Sequence, residues 1–303
     1  MTSSDSRPII GTLGDLIEDL VVDLAEPVRH ATDTDVTVAR RRGGSAANVA
    51  TAAVVGGAKG RFIGNIGSDG VGDRLIDLLR QAGVDVAANR GGRTGTVIAL
   101  IDEQGERSLL TDRGSSGDLD RLPERALDAL AALHVPAYAF TDEPLASVAE
   151  VALLDVRTRG QSTSVDASAV PVVEHIGIDA FRALIDRVRP TVLFCNEDEA
   201  AALGVTRCLD GAFLTVVKNG PEPAVVHASN GFTVEVPARR LDSVVDTTGA
   251  GDAFAAAFMI GMTRGVSPEE CAILGHDLAA RSLQSTGALQ GDESTDDPRM
   301  SGE

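Results

Sequence analysis

The feature that most constrains the fold is the alternation of apolar strand-like runs with amphipathic stretches from residue 121 onward. The pattern predicts helix 124–133, strand 134–140, helix 143–158, strand 162–166, helix 178–188, strand 191–195 and helix 197–203. Strands 213–217, 224–227 and 232–236 and helices 250–264 and 268–285 follow. A helix after each strand returns the chain to the same end of a sheet, so this pattern favours a mainly parallel sheet with helices on both faces. Upstream, strand 61–66 and helices 46–55 and 71–82 fit the same body. Segments 13–24, 36–42 and 95–111 do not: they are extended, and 96–101 with 108–111 reads as a hairpin with Gly105 in its turn. They are expected to form a small β unit set into the first part of the α/β body.

Composition narrows the function classes. The chain has 303 residues, enough for one large α/β domain, and a formal net charge of −18. Such a field repels a polyanion, so nucleic acid is not an expected partner. No apolar run reaches the length of a membrane span, and MTSSDSRPII lacks the basic start and apolar stretch of a secretory signal. Three cysteines without a CxxC pair fit a reducing compartment, and the expectation is a cytoplasmic protein. Gln290–Glu303 is polar and acidic and is expected to be disordered.

Three segments carry chemistry. Asp246-Thr247-Thr248-Gly249-Ala250-Gly251-Asp252 runs into an apolar helix. Glycines there let a ligand approach the main chain, and the first-turn amides of the helix favour an anion. Asp252 beside them can take a proton from an attacking hydroxyl, or it can simply complement the helix dipole. Gly43-Gly44-Ser45-Ala46-Ala47-Asn48 pairs close backbone approach with an amide able to donate and accept; it can equally be a turn with Ser45 as N-cap. Asn196-Glu197-Asp198-Glu199 follows a strand, where acids can hold Mg²⁺ through water, and it has the spacing of a capping box.

In this order the segments resemble the ribokinase-like (PfkB) carbohydrate kinases. One family signature matches from Gly43 through Asn48 and Ala50 to Gly57 and Gly67, the other from Asp246 to Phe258, and Ser285-Thr286-Gly287-Ala288 also fits. The resemblance spans about 9–289. It implies a three-layer α/β/α fold in one domain over 1–303, with a β-sheet lid from about 12–42 and 93–115. It also implies ATP-dependent phosphorylation of a hydroxyl on a sugar-like molecule and, in many members, a homodimer paired through the lid. By position, Asp252 falls on the catalytic base and Gly249, Ala250 and Gly251 on the anion hole. Asp19, Gly44 and Asn48 fall on substrate positions beside Gly43, with Asp15 and Arg113 as further substrate-side candidates. Asn196 and Glu199 fall on the Mg²⁺/phosphate motif, Lys218 and Gly220 on a nucleotide loop, and His276 near the adenine. Asp246 and Thr248 sit where several members hold a monovalent cation such as K⁺.

The chain departs from the family pattern in two places. Ile17 stands where ribokinases proper carry Asn, which argues against ribose. Gly220-Pro221-Glu222-Pro223 replaces a loop that usually has a second glycine, and its prolines remove amide donors. The lid segments hold no Phe, Tyr or Trp, which favours a sugar over a nucleoside that would stack on a π face. Alternative readings are a nucleoside or phosphosugar kinase, or a kinase-like protein that binds without reacting. Arg40, Arg41, Arg42, Arg107 and Arg113 are the candidates for gripping a phosphosugar, although the 40–42 run is first read as a solvated edge strand. His30, His134, His175 and His227 are read as structural or surface residues.

Overall fold

Branched aliphatic runs bounded by glycine or charge become strands, and segments with a 3.6-residue apolar period become helices. The computed structural model describes residues 6–104, 106–285 and 287–289; Gly105, Thr286 and the tail 290–303 lie outside the described residues. In chain order the strands are β1 (Ile9–Leu13), β2 (Ile17–Leu24), β3 (Val36–Gly43), β4 (Lys59–Ile66), β5 (Asp85–Arg90), β6 (Thr94–Ile101) and β7 (Arg107–Gly114). After them come β8 (Leu130–Pro136), β9 (Ser162–Asp166), β10 (Val192–Asn196), β11 (Leu214–Lys218), β12 (Ala224–Ala228) and β13 (Thr233–Val236). The helices are α1 (Ser45–Val55), α2 (Gly70–Gln81), α3 (Leu145–Thr158), α4 (Val170–Ile176), α5 (Ile178–Val188), α6 (Glu197–Ala202), α7 (Ala250–Arg264) and α8 (Pro268–Leu283).

Nine strands form the main sheet in the order β13-β12-β11-β10-β9-β8-β1-β4-β5. The seven from β11 to β5 run parallel, and β12 and β13 add an antiparallel edge. Leu133, Val135, Leu153, Phe181 and Leu193 fill the core on one face, and Ile10, Val49, Phe194, Phe254 and Phe258 fill the other. Phe194 meets Phe258 edge-on at a ring separation of 5.4 Å, which seats α7 against the centre of the sheet. The expected α/β layering is thus present. A separate four-stranded sheet, β3-β2-β6-β7, is built from the early extended segments, with β2 parallel to β6 and the outer pairs antiparallel.

Four elements differ from expectation, among them strand 134–140, which the structure replaces by β8 ending at Pro136 and a 3-10 turn over Ala137–Phe140. Helix 124–133 is absent: 124–129 turns, Arg125 and Ala129 adopt positive φ, and β8 begins at Leu130. LAALHVP is buried on both faces, and a central strand of that kind shows no alternation to tell it from a buried helix. β5 and α4 were not expected; the first is a short edge strand with charged ends, the second a two-turn helix started by Pro171. Among the described residues no helix is long and apolar enough to cross a membrane. The three cysteines are free and buried.

Candidate active site

In a parallel sheet all strands end on one side, so the loops that follow them share an edge. Register places Asp166, at the end of β9, opposite Phe194, and Asn196, at the end of β10, opposite Lys218 at the end of β11. The small sheet stands over this edge, and between the two lies a cavity of about 970 Å³. Asp15, Asp19, Gly44, Asn48, Arg113, Asn196, Glu199, Lys218, Gly220, Thr248, Gly249, Ala250, Gly251, Asp252 and His276 all line it. Of the other sequence candidates, Arg41, Arg42 and Arg107 line it too, whereas Arg40, Gly43 and Asp246 do not.

Two helix N-termini meet on the cavity floor. Gly249 adopts φ +76° before α7, and a Cβ there would lie 2.6 Å from that of Ala288. No side chain caps α7 or α1, so neither helix start is claimed by a side-chain acceptor of its own. Ser45 is therefore not an N-cap. Its hydroxyl instead donates to Asp252 Oδ1 at 2.7 Å, while Asn48 Nδ2 donates to Asp252 Oδ2 at 2.9 Å. Burial pushes the Asp252 carboxyl up to about 6, against the pull of these two donors. Arg42, almost fully buried, donates to Asn48 Oδ1 at 3.0 Å and so fixes which way the amide faces.

Gly44 explains how the two elements approach. It adopts φ +99°, and a Cβ would sit 2.3 Å from the Asp15 carbonyl oxygen. At Gly43 a Cβ would strike the Asp19 carboxylate at 2.3 Å. Burial raises Asp19 to about 6, opposed by the charges of Arg42, Arg41 and Arg107. Burial also raises Asp15, opposed by Arg113, whose guanidinium contacts it at 2.7 Å and lies 4.5 Å over the Tyr138 ring.

At the far end, Lys218 Nζ pairs with Asp166 at 2.6 Å. Burial works against the ammonium, but the Asp166 charge and hydrogen bond outweigh it and its pKa is raised. Asn196 and Glu199 form the full capping box, each side chain bonding the other's backbone amide at 2.8 Å. Burial, then the charge of Asp166, raises the Glu199 carboxyl. Gly220 turns with φ +55°, and Asn219 closes the proline-flanked loop by donating to the Pro223 carbonyl at 2.9 Å. His276 bonds the Val236 carbonyl at 3.0 Å and meets Phe254 edge-on. Asp246 accepts from the Thr248 amide and hydroxyl, the Gly287 amide, Arg41 and Arg107. Burial pulls Asp246 upward, but these donors outweigh it and hold it at about 2.

The sequence reading missed Asp166, Tyr138 and the contact of Ser45 with Asp252. Asp166 carried a usable signal, an acid directly at the carboxyl end of a parallel strand. Of the arginine run, Arg40 is solvated and pairs with Glu18, as an edge strand predicts, whereas Arg41 and Arg42 turn inward.

Residues 12–295 match the model of the pfkB family carbohydrate kinase. The chain belongs to the pfkB family of carbohydrate kinases. It is 33% identical over 277 residues to the adenosine kinase of Saccharomyces cerevisiae, covering 81% of this chain and 78% of that one. It is 32% identical over 298 residues to a fructokinase of Klebsiella pneumoniae, covering 92% of each. Its fold superposes on the crystal structure of adenosine kinase from Sinorhizobium meliloti with a TM-score of 0.80 and 26% identity, over 93% of this chain and 96% of that one. The pfkB assignment makes the chain an ATP-binding kinase whose acceptor is an alcohol group. In pfkB terms the second sheet is the smaller of the two sheets expected of a ribokinase-like fold.

Proposed function

We propose that this kinase transfers the γ-phosphoryl group of ATP to a hydroxyl of a sugar or sugar-like molecule, with Asp252 as general base. The observation that carries the reading is the Asp252 carboxylate, held by Ser45 and Asn48 at the uncapped start of α7, with its pKa lifted toward the working range of a base. An acceptor hydroxyl held by Asn48, Asp15 and Asp19 gives its proton to Asp252 as its oxygen attacks the γ-phosphorus. The bond from that phosphorus to the bridging oxygen breaks, and ADP leaves. The amides of Gly249, Ala250 and Gly251 hold the charge that spreads over the transferring oxygens.

The nucleotide lies along the 218–223 loop toward His276. The acids nearby suit Mg²⁺, which takes one or two carboxylates plus water and phosphate oxygens. Asp166 and Glu199 repel one another electrostatically and share Lys218 as a neighbouring cation, so a divalent ion between nucleotide and carboxylates answers an existing excess of negative charge. Asp166 and Glu199 would hold it, and it would supply positive charge to the nucleotide's phosphates.

A sugar is favoured over a nucleoside because the small sheet's segments carry no aromatic ring to stack on a base and because Arg113 occupies one face of the Tyr138 ring in the cavity. The exposed Val36, Val38 and Leu110 on the small sheet support pairing of two copies through that sheet as a lid. The test is Asp252→Asn, with ATP consumption measured across pentoses, hexoses, sugar acids, phosphosugars and nucleosides. Turnover should fall by about 10²–10⁴-fold with acceptor affinity nearly unchanged. Near-normal turnover removes Asp252 from the role, and a nucleoside as the one strong acceptor overturns the sugar assignment.

A further inference from the structure

We infer that Arg41 and Arg107 are positioning residues that supply fixed positive charge beneath the Gly249–Gly251 loop through Asp246, so that this kinase needs no monovalent metal ion there. The inference rests on the reading that this loop holds the transferred phosphoryl group.

A metal ion needs oxygen lone pairs pointed at it. The two oxygens of Asp246 already receive five donors. Oδ1 takes the Thr248 amide at 2.9 Å, the Thr248 hydroxyl at 2.7 Å and Arg107 at 3.2 Å. Oδ2 takes the Gly287 amide at 3.0 Å and Arg41 at 3.2 Å. A carboxylate offers about four acceptor directions, so none is left over for a cation. The Thr248 hydroxyl is likewise engaged, donating to Asp246 and accepting from Arg107 at 2.8 Å. The donor set therefore does not fit a K⁺ site, and the two guanidinium groups already bring positive charge to the Asp246 and Thr248 oxygens. Unlike a bound ion, a guanidinium neither dissociates nor titrates in the range where the enzyme works. Asp246 is only 8% exposed and Arg41 18%, so that pair is sheltered from screening, while Arg107, 40% exposed, is more open to it. Both arginines come from the small sheet, on β3 and β7, while Asp246 opens the loop that leads into α7. The strut thus ties the acceptor-side sheet to the phosphate-side loop.

The test is calorimetric binding of Mg²⁺ with the non-hydrolysable analogue AMP-PNP, which keeps a γ-phosphoryl group, to the full chain, in potassium chloride and in tetramethylammonium chloride at equal ionic strength, with thermal melts in both. For the unaltered protein, affinity and melting temperature should be the same in the two salts. The double variant Arg41→Ala/Arg107→Ala should bind about fivefold more weakly in tetramethylammonium and regain affinity in potassium or dilute guanidinium, as expected for two lost charges near a helix start. If that variant does not fold, Arg107→Ala alone, whose arginine is 40% exposed, is read the same way. Arg41→Lys/Arg107→Lys, which keeps the charge, should remain insensitive to the salt. Tighter binding of the unaltered protein in potassium overturns the inference alone, as does an alanine variant indifferent to both substitution and salt. No binding of the analogue in either salt overturns the reading that this loop holds the phosphoryl group, and this inference with it.

Discussion

Replacing Ser45 with alanine removes one of the two hydrogen bonds that hold Asp252 as a carboxylate. A hydrogen bond to a charged group contributes about 1.5–3 kcal/mol. Cavity water can take over part of that, so the net loss should be near 1.4 kcal/mol, or about one pKa unit. The folded carboxyl already stands at about 6 because burial outweighs its donors, and losing a donor moves it further up, toward about 7. A base works only when deprotonated, so activity rises with pH through this value and is flat above it. At pH 6 the ionised fraction should fall from about one half to about one tenth, cutting kcat about fivefold, while at pH 8 the loss stays under about twofold. The assay is kcat against pH from about 5 to 9, with acceptor and ATP saturating. An acid limb that does not move would refute the argument, because Asp252 would then not be the group that titrates. A drop of equal size at every pH would assign Ser45 a role in geometry and none in charge.

Two further outcomes follow from the packing around the cavity. Lys218→Met leaves Asp166 as a buried carboxylate without its partner, which should cost about 3–5 kcal/mol in urea unfolding, and Lys218→Met/Asp166→Leu should recover most of it; a double variant no more stable than the single one would contradict this. Gly44→Ala must find room for a Cβ against the Asp15 carbonyl at a positive φ, so stability should fall by more than about 2 kcal/mol and the start of α1 should shift away from Asp252. Unchanged stability and kcat would show that the backbone yields there at little cost.

What the sequence disclosed was local. The Asp246–Asp252 run is legible because glycines, a helix start and an acid lie within seven residues, and so are β9 and α5, whose patterns are unbroken. Helix 124–133 was misread because β8 is apolar on both faces, and β5 was overlooked because a short edge strand bears charge at its ends. Within the site, Asn48 and Asp252 could each be singled out, but their hydrogen bond spans 204 residues, and nothing at either position announces the other. The same holds for Arg41 and Arg42. Three consecutive arginines on a strand look like a solvated edge, and only the fold shows that two of them have carboxylate or amide partners inside. Asp166 stood in the open, directly after a buried strand, and was overlooked because one acid alone has no spacing to recognise.

The contacts that complete the site also set when it can exist during synthesis. Ser45 and Asn48 meet Asp252, and Arg41 and Arg107 meet Asp246, across separations of 207, 204, 205 and 139 residues. A nascent chain that has passed β7 carries the whole acceptor-side half, yet every one of those side chains still lacks its partner. Closing such long loops costs only slightly more entropy than closing short ones, but the partners must first leave the ribosome. The strands of the main sheet up to β12 emerge before the last quarter of the chain, whereas α7, α8 and the reactive centre can be completed only after it. Ribosomes stalled before residue 246 would hold a chain with no working centre and, without α7 and α8, with one face of its main sheet uncovered.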